Sequence, residues 1–175
     1  RDMAAWLTTE LATLASTSPR DQAEKARILA ALAVAGQPAH GEALALFAVR
    51  AGTNTALRAD LLEALSAGGP EAAVAAATLR QELMGELVVD AATAFLPDTT
   101  ASADAGLWPS DVRATAQLLT GLLAVPSVAQ AGSAQRPLVD KLARWLVAAR
   151  DRDHYATTQD GAWALQAWSR YLETL

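Results

Sequence analysis

The chain has no cysteine. That absence removes disulfides, thiolate metal sites, iron–sulfur clusters and cysteine nucleophiles together, while saying little about compartment. Histidine occurs twice, as His40 and His154. Neither has a second histidine or a carboxylate three or four residues on within a helix, so no metal site is expected. Lysine also occurs only twice, as Lys25 and Lys141, and the net charge is −5. With no basic stripe, the composition argues against nucleic acid as a partner. No run of 18 apolar residues exists, so no membrane-spanning helix is expected. Period-2 alternation and β-branched clusters are nearly absent, which predicts no sheet. There is no GxxxxGK[ST], no GxGxxG and no GxSxG after a strand, so phosphate cradles and serine elbows have no support.

What remains is helical. The chain of 175 residues is 52% apolar and 19% charged. Those proportions suit a globular chain long enough to bury a core. Alanine supplies roughly a quarter of the residues, and it has the best helix propensity. Residues 1–175 read as a single all-helical domain. The opening "RDMAAWL" is already in helical rhythm, so the chain is read as a domain fragment of a larger polypeptide.

Predicted helices cover about 2–16, 20–35, 39–51 and 54–67, then a long segment from 70 that Gly85 divides, and 111–125, 136–150 and 158–174. Expected inward positions are Ile28, Leu29, Leu32 and Ala35 in the second helix. In the third they are Leu44, Phe47 and Ala48, and in the fourth Leu57, Leu61, Leu62 and Leu65. "LPDTTASADAGLWP" and "PSVAQAGSAQRP" read as loops. Gly36 and Pro38 stop the second helix, and Pro70 begins a later one. Glu82 and Glu86, with Arg80 nearby, read as a solvated helix face.

A short form recurs: "ILAALAVAG" at Ile28, "LLEALSAGG" at Leu61 and "LLTGLLAVP" at Leu118. Each is a bulky pair, then Leu three residues after its second member, then small residues and a Gly or Pro stop. The first two copies lie 33 residues apart, the length of a two-helix unit. Stacked helical hairpins follow, as part of an α/α toroid or as an open α-solenoid.

The final stretch, "HYATTQDGAWALQAWSRYLETL", places a polar string before a helix. Thr157 suits an N-cap, with Asp160 three residues on as an acidic capping-box partner near the positive helix end. Gln159 is not required by capping. Trp163 and the Leu165, Trp168, Leu172 and Leu175 stripe make this helix apolar on two sides, which predicts enclosure by neighbours. Trp145 and Trp168 read as core, and Trp6 and Trp108 as core or surface.

This stretch resembles the closing helix of the thioester domain of alpha-2-macroglobulins and complement-like proteins. The matching residues are Tyr155, Thr157, Thr158, Gln159, Asp160, Ala162, Trp163, Ala164, Leu165 and Ala167; Asp151 to His154 replace that family's Gly-Gly turn. The form is most similar to the bacterial branch. "DVRATAQLLTGLL" and "PLVDKLARWLVAAR" look like the helix and first hairpin arm before it. "AEKARILAALAVAGQPAHGEALALF" matches in rhythm. The resemblance implies an α/α toroid within an exported, periplasmic or cell-envelope protein that traps proteases. Its partners would be target proteases and other domains of the same polypeptide. It implies no cofactor and no enzymatic activity, and it makes Tyr155, Gln159 and Trp163 the binding candidates. That family's Cys-x-Glu-Gln thioester motif is absent, as the lack of cysteine requires; the parent either carries it earlier or lacks it. The alternatives are an α-solenoid interaction scaffold and, with "LPDTTASADA" as its only acidic motif, a terpene-cyclase-like toroid enzyme.

Overall fold

The computed structural model describes residues 2–14, 18–99, 109–130 and 132–175. Nine helices and one two-stranded sheet occur among them. The helices are α1 Met3–Thr13, α2 Pro19–Val34, α3 His40–Ala48, α4 Thr55–Ser66 and α5 Pro70–Gly85. Strands β1 Val88–Val89 and β2 Ala94–Phe95 follow, then α6 Asp111–Leu123, α7 Pro126–Ala129, α8 Arg136–Ala148 and α9 Thr158–Leu172. The expected all-α class is observed. Trp108 and most of the "LPDTTASADA" motif lie outside the described residues, as does the end predicted for the first helix.

Local chemistry sets the helix ends. Side chains of Asp2, Ser18, Asn54, Ser110 and Thr157 accept backbone N–H bonds at five N-termini, each satisfying a donor that the helix itself leaves open. Pro19, Pro70 and Pro126 begin α2, α5 and α7, where a missing N–H costs nothing. Gly36 closes α2 with φ of 73°. Its N–H reaches Ala33 O at 3.1 Å, and Gln37 N–H reaches Leu32 O at 2.9 Å, a Schellman motif that requires the left-handed residue.

Packing runs along a row of four helices, α2, α4, α6 and α9. α2 packs on α4, α4 on α6 and α6 on α9, while α1, α3, α5 and α8 flank that row. The three copies of the recurring form fall in α2, α4 and α6. Their bulky pairs, Ile28–Leu29, Leu61–Leu62 and Leu118–Leu119, are all buried, as are the following Leu32, Leu65 and Leu122. α4 and α6 are enclosed almost all round. Every residue from Arg113 to Leu122 is buried. Such closeness needs small residues at the seam. A Cβ on Gly121 would stand 3.1 Å from Ala59 O, 3.4 Å from Glu63 N and 3.4 Å from Leu62 Cβ.

Four expectations need correction. The segment after Gly85 is a hairpin, not helix: β1 and β2 pair antiparallel, Val88 with Phe95 and Val89 with Ala94. Asp90 makes the turn, its carboxylate accepting from Ala92 N at 2.7 Å, Thr93 N at 2.6 Å and Thr93 Oγ1 at 2.8 Å. Phe95 then stacks on Trp145 at 4.8 Å. Secondly, α3 is turned by about one residue. It buries Ala43 and Leu46, leaves Leu44 and Phe47 half-buried and exposes Ala48. Thirdly, Pro126 ends α6 and also opens the short α7, whose Val128 is buried. Lastly, Ala35 caps α2 and is exposed.

Replacing Gly121 by Val drives a branched side chain into the α4 backbone. The expected cost is about 1–3 kcal/mol, read as a fall in the urea midpoint with an unchanged slope. An unaltered midpoint would show that the seam has room to spare.

Candidate functional site

The sequence candidates surround the start of α9. Thr157 caps the helix, its Oγ1 accepting from Asp160 N at 3.0 Å. Gln159 is exposed on the first turn, and Trp163 is half-buried against the core. Tyr155 is half-buried, and its hydroxyl donates to Leu146 O at 2.8 Å, tying the turn to α8. Burial raises the Tyr155 hydroxyl above the usual phenol value. A cleft of about 740 Å³ opens here, lined by Arg150, Asp153, His154, Tyr155, Thr157 and Leu165 among others. A groove of about 320 Å³ adjoins it between α8 and α9, and Val147, Leu165 and Trp168 line it with Arg150 and Tyr155. Tyr155 thus lines both hollows, whereas Gln159 and Trp163 line neither.

The expected enclosure of α9 is not found. Leu165 is 71% exposed, Leu172 56% and Leu175 78%, while Ala164 and Ala167 are fully buried. α9 packs mainly on α6 and α8, so its second apolar side faces outward. Trp168 is half-buried and meets Tyr171 edge-on at 5.3 Å. Trp6 is also exposed.

Asp160 serves more than the expected cap. Its carboxylate is buried and accepts from Ser110 Oγ at 2.5 Å. Ser110 Oγ accepts in turn from Arg113 N at 3.2 Å. One hydroxyl therefore caps α6 and holds the start of α9.

Behind this lies a set of buried polar groups that sequence reasoning missed. Asp98 and Arg113 form an ion pair at 2.5 Å, with side-chain exposures of 0% and 3%. Asp98 Oδ2 also accepts from Ser110 N at 2.9 Å. Glu63 of α4 pairs with Arg170 of α9 at 2.6 Å; burial raises its carboxyl above the usual value, and Arg170 opposes that. Asp60 of α4 accepts from Gln117 Nε2 of α6 at 2.8 and 2.9 Å. Burial pushes its carboxyl up to about 7, against the pull of Arg27. A signal for this layer does exist in the sequence. Arg27, Asp60 and Gln117 each stand immediately before the bulky pair of one copy of the recurring form. Equivalent positions on neighbouring helices come side by side.

Other assignments shift as well. Glu82 pairs with Arg50 at 2.5 Å and Glu86 with Arg58 at 2.6 Å, so both reach across to neighbouring elements, not to Arg80. Arg50 holds the Glu82 carboxyl below its usual value. His40 opens α3 and is exposed, and His154 sits in a turn bridged to Asp151. Among the described residues no group of three or more His, Asp or Glu could hold a metal ion. No helix among them is long and apolar enough to cross a membrane. Of the "LPDTTASADA" motif, Asp98 is described, and it is committed to Arg113. No family model, curated protein or solved structure matches the chain.

Arg113→Ala leaves Asp98 charged and buried without its cation. The expected loss is about 3–5 kcal/mol, measured by chemical denaturation. Pairing it with Asp98→Asn should recover a substantial part. Equal stability of the single variant and the native chain would refute the role given to this pair.

Proposed function

We propose that the chain is a non-catalytic interaction module, the later part of the thioester-type α/α toroid of a bacterial alpha-2-macroglobulin. The fold observation that supports this is the alternation of helices. α2, α4, α6 and α9 stack on one another, and the helices between them flank the row. A toroid places inner and outer helices in that order about a hub. The helix that carries the Thr-Thr-Gln-Asp string ends the row and presents Leu165 and Leu172 outward. On this reading the outward face of α9 and the hollows beside Tyr155 meet other domains of the same polypeptide. The parent protein works in the periplasm or cell envelope and holds target proteases. Gln159, exposed at the helix start, would contact such a neighbour.

A second reading is an α-solenoid interaction scaffold. It is favoured by the row's two ends, α2 and α9, which do not pack substantially against each other. A solenoid remains open in this way.

Protease capture separates the two. The parent polypeptide is incubated with trypsin, and activity is followed on a small chromogenic peptide and on a large protein. A trap leaves the small substrate cleaved and shields the large one. Undiminished cleavage of the large protein would contradict the trap and leave the scaffold.

A further inference from the structure

The polar layer between the stacked helices contains an incomplete pairing. Asp60 is buried, and both of its oxygens lie within reach of one nitrogen, Gln117 Nε2, at 2.8 and 2.9 Å. Gln117 Oε1 is buried too, with no donor among the described residues. An ionised carboxylate only accepts hydrogen bonds, so it cannot serve that oxygen. A carboxylic acid carries one O–H donor and can. Leaving a buried acceptor unpaired is unfavourable.

We propose that Asp60 and Gln117 form a proton-operated latch between α4 and α6. Asp60 takes one proton from solvent. The new hydroxyl donates to Gln117 Oε1, while Gln117 Nε2 goes on donating to the other Asp60 oxygen. A small rotation of the carboxamide turns one shared nitrogen into a closed pair of bonds. Release of the proton reopens the pair and leaves Oε1 unpaired at the seam.

The surroundings favour operation near neutrality. The charges acting on Asp60 are Arg27 from α2, Glu63 from α4 itself and Arg113 from α6. Glu63 is paired with Arg170 of α9, and Arg113 with Asp98. On the other helices packed against α4, Glu42 of α3 is paired with Lys25 and Glu82 of α5 with Arg50. Burial outweighs the two arginines and sets the Asp60 carboxyl at about 7. In the unfolded chain it would titrate near 3.8. The folded state therefore binds the extra proton between these values. Stability from this group is full at low pH and is lost as pH rises through that window.

The test is a carbon-detected NMR titration of the full chain from about pH 4 to about pH 8, alongside thermal unfolding over the same range. The Asp60 carboxyl is expected to titrate near 7, and the Gln117 side-chain amide signals to move in step with it. The folding equilibrium should weaken on the order of a hundredfold or more across the window, since each pH step between the unfolded and folded titration points changes it about tenfold. Asp60→Asn supplies an N–H donor at every pH. It should fold and lose that part of the pH dependence. Titration of Asp60 in the ordinary carboxylate range would overturn the latch. So would Gln117 signals that ignore the Asp60 titration, or a wild-type pH dependence retained by the Asn variant. The native chain alone gives the first two readouts, so the test does not depend on the variant folding.

Discussion

The seam between α4 and α6 is the contact on which the other packing depends. Gly121 lets the α6 backbone lie directly over Ala59 and Glu63 of α4. At that separation the leucines on either side, Leu61, Leu62, Leu118 and Leu119, are fully buried. Close packing of this kind gains dispersion from many atoms at once and tolerates little added volume. The same closeness brings Gln117 against Asp60. It also sets α6 where Ser110 can hold Asp160 and where α9 can lie along its other side. Moving α6 outward by one methyl group would loosen all of these together.

The buried polar groups give the row its register. Leucine against leucine can fit again when one helix slides along another by a whole turn. Asp60 against Gln117, Glu63 against Arg170 and Ser110 against Asp160 each fit only one. Polar groups of this kind cost stability in burial and gain little net from pairing. Their value here lies in selecting one alignment of α4, α6 and α9. On the proposed reading that alignment matters, because the outward face of α9 must meet a neighbouring domain at a fixed angle.

Much of the fold was legible in the sequence. The recurring form at Ile28, Leu61 and Leu118 named the stacked helices and their buried leucines, because a helix that packs on two sides repeats the same inward residues. The hairpin at Val88–Phe95 was not legible: Gly85 reads only as dividing a long helical segment. The turn is held by Asp90 and Thr93, without a Gly or Pro to mark it, and its strands are two residues each, too short for alternation to register. The exposure of Leu165 and Leu172 was misread because periodicity shows which faces are apolar and not which are covered. The string before α9 combined both possibilities. Thr157 starts the helix, as capping requires, and Asp160 also reaches across to Ser110. The Arg27, Asp60 and Gln117 layer was visible only by aligning the residues that flank each copy, since a single polar residue beside a leucine pair looks like a solvated position.

Native-state hydrogen exchange tests the central place of the α4–α6 seam most directly. Amides of Leu118 to Leu122 should be protected to nearly the full free energy of global unfolding, together with those of Leu61 to Leu65. Amides of α1, which packs mainly on α2, should exchange through much smaller openings. Exchange of the α6 amides as fast as those of α1 would contradict the account.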